Sequence, residues 1–155
     1  MVSVLFVCLG NICRSPMAEG LFQHMVEQAG LSDKISVDSA GTGSWHVGER
    51  AHSGTREELR KHGIDYEGRA RQLSRHDFDH FDYILAMDED NLRDIQHAAP
   101  RRTNANIALF MDYAPDLGTR EVPDPYYAGG FDRVYDLVEA ACRGLLATLR
   151  AEHGI

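Results

Sequence analysis

A chain of 155 residues, 43% hydrophobic and 26% charged, has the length of one domain and an ordinary globular composition, which excludes collagen-like, disordered and disulfide-scaffold classes. Its 24 acidic residues against 16 basic ones give a formal charge of -8, which disfavours a general nucleic-acid or anionic-membrane surface and leaves room for a local basic pocket. Three cysteines, Cys8, Cys13 and Cys142, are too few and odd in number for a stapled secreted fold, and fit a reducing, cytoplasmic setting.

In chain order, Val2 to Val7 is a β-branched apolar run that suits a central strand covered on both faces. It lacks a basic flank and a small-residue cleavage site, so it does not read as a signal peptide. No stretch approaches the roughly 20 apolar residues of a membrane span, and no membrane insertion is expected. Ser15-Pro16 predicts a helix start with Ser15 as N-cap and Pro16 at the first helical position. Ala18, Leu21, Phe22, Met25, Val26 and Ala29 then form one buried stripe, ended by Gly30. Ile35 to Ala40 reads as a second strand, and Thr55 to His62 as a short helix stopped by Gly63. Tyr83 to Met87 and Ile107 to Met111 read as two more strands, with a polar helix from Asp88 to Ala98 between them. The last helix carries Phe131, Val134, Tyr135, Val138, Ala141, Cys142, Leu145, Leu146 and Leu149 on one face. Strands alternating with helical crossovers predict a single α/β domain over residues 1–155: a three-layer sandwich with a four-stranded parallel sheet and helices on both faces. Ligands of such sheets bind beyond the carboxyl ends of the strands, where the loop from Cys8 to Arg14 falls.

That loop, Cys8-Leu9-Gly10-Asn11-Ile12-Cys13-Arg14-Ser15, carries the chemistry. Loop amides and the unsatisfied amides of a helix start make a cradle for a tetrahedral dianion. Gly10 helps the backbone bend, and Arg14 can grip two phosphate oxygens with its planar fork, each charge-assisted bond contributing roughly 1.5 to 3 kcal/mol. The same positive field suits Cys8 as a nucleophile. A bare cysteine-x5-arginine spacing is common, but the strand-loop-helix context with Gly10, Asn11, Ser15 and Pro16 is not.

On CLGNICRSPMAE from Cys8 to Glu19, the sequence resembles the low-molecular-weight protein tyrosine phosphatase family. The resemblance continues through VDSAGT (37–42), WHVG (45–48), KHGI (61–64), ARQL (70–73), FDYILAMDEDNLRDI (81–95) and PDPYY (123–127), covering essentially the whole chain. It implies a metal-independent, cofactor-free hydrolysis of phosphotyrosine through a phosphocysteine on Cys8, with Arg14 and the loop amides of Leu9 to Ser15 binding phosphate. Asp124 would be the general acid and then the base; by itself the Asp124-Pro125 pair reads as a turn. Trp45, Tyr126 and Tyr127 match positions lining the pocket mouth, with Leu9 and Ile12 completing it; aromatic walls suit an aryl leaving group. Asn11, Ser15 and Ser39 match polar positions that hold the loop in shape. The family often adds a histidine to this network, but the expected position, six residues after His62, is Gly68. Cys13 has two readings: a reversible disulfide partner guarding Cys8, which the resemblance supports, or a small residue packing the loop. The implied partners are phosphotyrosine proteins, a tyrosine kinase among the candidates, and phosphate or a similar oxyanion in the site.

His76 and His80 share i, i+4 spacing but lie in a polar stretch without a third ligand, and read as a solvated loop and not a metal site. Asp88-Glu89-Asp90 reads as a helix N-terminus. Three rival functions use parts of the same pattern. An arsenate reductase relays electrons through further cysteines, and none occurs between Cys13 and Cys142. Phosphoarginine hydrolysis goes with threonine where Ile12 stands. A flavodoxin-like flavin module does not need Cys8, Arg14 or Asp124.

Overall fold

The N-terminal apolar run forms the central strand of the sheet in the computed structural model, which describes residues 1–155. β1 (Val2–Cys8), β2 (Ile35–Gly41), β3 (Tyr83–Ala86) and β4 (Asn106–Leu109) pair in parallel in the order β2-β1-β3-β4. Every residue of β1 is buried because both faces of the strand are covered. Val4 and Phe6 enter the larger core, and Leu5 and Val7 the smaller one on the opposite face.

Six helices connect and cover the sheet: α1 (Arg14–Gln28), α2 (Ser53–Lys61), α3 (Asp77–His80), α4 (Glu89–Ala98), α5 (Pro125–Ala128) and α6 (Phe131–His153). α1 and α6 pack together over one face, with α2 against both. Phe6 sits edge-on between Phe22 and Phe110, with ring centroids 5.8 and 5.0 Å away. Such aromatic pairs add about 0.5 to 1.5 kcal/mol each beyond simple burial. Phe78 of α3 and Ile95 of α4 fill the opposite face. The expected three-layer α/β sandwich is the observed fold.

Several boundaries differ from expectation for local reasons. α1 begins at Arg14 with Cys13 in the cap position, not with Ser15. The Ser15 hydroxyl is engaged by Asn11 and Cys8 and cannot cap, while Pro16 falls in the first turn, where an N–H has no intrahelical acceptor. α2 starts two residues early because the His52 imidazole caps it, accepting from the Gly54 amide at 3.0 Å. The expected fourth strand stops at Leu109, and buried Phe110 and Met111 continue as a 3-10 turn, since apolar content alone does not separate extended from helical backbone. The stretch around His76 and His80 is not a solvated loop: α3 forms there, with Phe78 buried and Asp77 accepting from Arg71 and Ser74. Asp124-Pro125 is the start of α5, with Asp124 Oδ1 accepting from the Tyr126 amide.

β1 has β2 on one side and β3 on the other, so the connections leaving the carboxyl ends of β1 and β3 diverge around a cleft. Cys8 ends β1 and Asp88 closely follows β3, which puts both at that cleft.

Candidate active site

From Cys8 to Arg14 the chain turns tightly around its own amides. The carbonyls point away into committed bonds: Cys8 O accepts from Thr42 N, Leu9 O from Gly43 N, Ile12 O from His52 N, and Cys13 O from Thr55 Oγ1. No amide from Leu9 to Ser15 donates to a protein acceptor. An array of inward N–H groups beside a helix start is a cradle for an anion. Asn11 holds the turn with a left-handed φ of 57°, and its side chain secures it. Gly41 lies so close beneath the loop that a Cβ there would sit 2.8 Å from Leu9 O.

Behind the loop, Asn11 Oδ1 accepts from the Arg71 amide, which sets the orientation of the carboxamide. Its Nδ2 then donates to Ser15 Oγ at 2.8 Å and to Ser39 Oγ at 2.9 Å. With that lone pair used, the Ser15 hydroxyl hydrogen is free to point at Cys8 Sγ, 3.0 Å away. The side chains of Asn11, Ser15 and Ser39 are buried and do not line the cavity, so they support the loop from behind.

The cavity in front has a volume of about 310 Å³. Cys8, Cys13 and Arg14 lie at its base, with Gly10 beside them. Leu9, Ile12, Trp45, Tyr126 and Tyr127 make an apolar and aromatic wall, with Trp45 71% and Tyr127 93% exposed at the rim. Asp124 also borders the cavity. The residues expected to carry chemistry and the expected aromatic rim are therefore brought to one pocket. Cys142 lies in the core on α6, away from it.

Arg14 is only 3% exposed, yet its charge is well partnered. Nη1 donates to Asp88 Oδ2 at 2.6 Å and to Val122 O at 3.0 Å, and Nη2 lies 3.7 Å from Asp124 Oδ2. Burial works against the guanidinium charge, but Cys8, Asp88 and Asp124 outweigh it and raise the pKa above its ordinary value. Asp88 has two tasks, since its Oδ1 also caps α4 through the Asn91 amide. Burial, with Cys8 and Asp124 adding and Arg14 opposing, pushes the Cys13 thiol up to about 12.

Sequence reasoning did not single out four contributors. His46 lines the cavity, packs near Tyr126 with ring centroids 5.9 Å apart, and bonds to Glu49. Asp88 was legible as part of an acidic helix N-terminus but not as the partner of Arg14. Glu19 and Tyr66 extend the support of the loop through Ser39. A His46 next to the lone tryptophan was the one visible signal; the others depend on long-range contacts.

A cysteine closing the central strand, an arginine opening the next helix and a ring of unclaimed amides between them define a cysteine-based oxyanion site on a doubly wound sheet. The family model described as low molecular weight phosphotyrosine protein phosphatase matches residues 3–154, and the chain belongs to that family. It is 48% identical to the low molecular weight protein-tyrosine-phosphatase YfkJ of Bacillus subtilis, over 98% of each chain. The crystal structure of YfkJ superposes with a TM-score of 0.93, covering 98% of this chain and 96% of that one. A Schizosaccharomyces pombe low molecular weight phosphotyrosine protein phosphatase is 51% identical, over 86% of this chain and 88% of its own. The structure of a Drosophila arginine phosphatase is 36% identical with a TM-score of 0.90, covering 95% and 97% of the two chains.

Proposed function

We propose that the protein hydrolyses phosphotyrosine monoesters in two displacements at Cys8. In the first, Cys8 Sγ attacks phosphorus while the aryl P–O bond breaks, and Asp124 gives its proton to the departing phenolate oxygen. In the second, the Asp124 carboxylate takes a proton from water, whose oxygen attacks the phosphocysteine and releases Cys8 as thiolate and phosphate as product. Arg14 and the amides of the loop hold the equatorial oxygens throughout, where charge stabilisation and positioning supply most of the catalysis. No metal or cofactor has a part in either step.

The observation that carries this reading is that one cavity holds Cys8, Arg14 and Asp124 under a rim of Trp45, Tyr126 and Tyr127. A rim of that kind suits an aryl group, and Ile12, standing where phosphoarginine hydrolysis goes with threonine, adds an apolar contact, which weighs against the arginine phosphatase reading despite the likeness in fold. The partners follow as tyrosine-phosphorylated proteins, kinases included, in the cytoplasm. Cys13 belongs to the same reading as a resolving thiol. Once a peroxide has oxidised Cys8 to a sulfenic acid, itself being reduced to water or alcohol, attack by Cys13 sulfur on Cys8 sulfur releases water and leaves a disulfide between them.

The test compares purified protein on phosphotyrosine, phosphoserine and phosphoarginine peptides with a chelator present. Turnover of phosphotyrosine alone is expected. Preferential release of phosphate from phosphoarginine, or loss of activity with the chelator, would overturn the assignment.

A further inference from the structure

The support of the phosphate loop does not end at Ser39. Ser39 Oγ donates to Glu19 Oε1 at 2.6 Å, and the Tyr66 hydroxyl donates to the same oxygen at 2.7 Å. The bonds run without a break from Glu19 to Ser15. Glu19 accepts the Ser39 hydrogen, which leaves a Ser39 lone pair for Asn11 Nδ2. The second Asn11 hydrogen goes to Ser15, whose hydroxyl oxygen lies 3.0 Å from Cys8 Sγ. An acceptor-only carboxylate at the far end thus holds the Ser39 hydroxyl in place, and Asn11, its Oδ1 fixed by the Arg71 amide, carries that placement to the Ser15 hydroxyl beside Cys8.

Room for Tyr66 is built into the chain. A Cβ on Gly68 would lie 2.3 Å from the Tyr66 hydroxyl oxygen and 2.5 Å from Cζ, and a Cβ on Gly20 of α1 would lie 3.3 Å from its Cδ1. The ring occupies the volume that a side chain at residue 68 would need. Gly68 is therefore the condition for Tyr66 to reach Glu19.

We propose that Tyr66 is a positioning residue for the proposed phosphatase reaction, acting through Glu19, Ser39 and Asn11 to hold the Ser15 hydroxyl on Cys8. Burial raises the Glu19 pKa, while the bonds from Ser39 and Tyr66 lower it. Asp38 on β2 opposes ionisation of Glu19 and Arg71 favours it. His24 and Glu27 of α1, with Asp65 and Glu67, line the hollow beside it. Tyr66→Phe keeps the ring between the glycines and removes only the hydroxyl. Glu19 then protonates at higher pH, and a protonated Glu19 holds the Ser39 hydrogen less firmly, which loosens Ser39 beneath Asn11.

The experiment follows Cys8 alkylation by iodoacetamide against pH, together with kcat and KM for an aryl phosphate, in wild type, Tyr66→Phe, Glu19→Gln and the double variant. Tyr66→Phe is expected to move the pH profile of alkylation and to lower kcat about three- to tenfold with little change in KM, a fraction of a charged hydrogen bond relayed through three side chains. In the Glu19→Gln background the same substitution is expected to leave the profile where it was. An unchanged profile in Tyr66→Phe, whatever happens to its melting temperature, would overturn the proposal. So would an equal shift in both backgrounds. The proposal rests on the phosphatase reading, but alkylation does not need turnover, so a protein that alkylates as expected without hydrolysing aryl phosphates would defeat that reading alone.

Discussion

Arg14 and Asp88 stand 74 residues apart in the chain and meet at 2.6 Å across the cleft between β1 and β3. The pair supplies a buried guanidinium with a counter-charge when no anion is bound. Asp88→Asn keeps a side chain able to cap α4 but removes that charge, and is expected to destabilise the free protein by about 1 to 3 kcal/mol. Inorganic phosphate, which brings a replacement charge, is expected to raise the melting temperature of the variant more than that of the wild type. Thermal unfolding with and without phosphate checks this, and equal stabilisation of both proteins would rule out the compensating role.

Cys8→Ser is expected to abolish hydrolysis of aryl phosphates while leaving phosphate or vanadate binding in place, because Arg14 and the loop amides are untouched. Calorimetric titration with the oxyanion, paired with an activity assay, separates the two. Ordinary turnover by the variant would remove Cys8 from the mechanism.

Asp124 is 44% exposed and makes one backbone bond at the start of α5, so Asp124→Asn should preserve the local fold. In the proposed reaction both displacements then lose their proton carrier. Turnover of phosphotyrosine is expected to fall by about 100-fold or more, the usual scale of a general acid. With a leaving group that needs no proton, phosphocysteine should accumulate and be visible by mass spectrometry after rapid quenching.

Trp45 lies with its ring over Gly43, where an added Cβ would be 1.8 Å from Cζ3. Gly43→Ala must displace the indole from the rim. A several-fold rise in KM for aryl phosphates with kcat retained is the expected result of losing a wall that does not touch the reacting atoms. Because Trp45 is the only tryptophan, its fluorescence reports the displacement directly.

Alkaline pH is expected to destabilise the fold. The folded Cys13 pKa is about 12 against 9.0 for a free thiol, burial also lifts the Cys142 thiol well above its ordinary value, and Tyr135 is pushed up to about 12. Above pH 9 the unfolded chain releases thiol protons that the native state keeps, so stability is full below that pH and declines as pH rises toward 12. Each such proton contributes a slope of about 1.4 kcal/mol per pH unit. Urea unfolding between pH 8 and 10.5 should show the decline, with Cys13→Ala shallower by up to one proton.

Features that depend on neighbouring residues could be read from the chain alone. The turn from Cys8 to Arg14, the strand before it and the apolar stripe of α6 are local patterns, because loop amides converge and helical faces repeat within a few residues. The sheet class followed from alternation of such segments. Where a local signal had two outcomes, tertiary contacts chose. Phe110 and Met111 became a turn and not strand, and Ser15 lost its capping role to Asn11 and Cys8. The -8 charge and three cysteines excluded broad classes of protein, but not the identity of the residue that would balance Arg14. That residue, and the Tyr66 to Glu19 link spanning 47 positions, were set only when the folded chain brought distant segments together. A hydrogen bond constrains position in space and leaves no periodicity in sequence, which is why the cysteine and arginine of the loop were legible from the start and Asp88, Glu19 and Tyr66 were not.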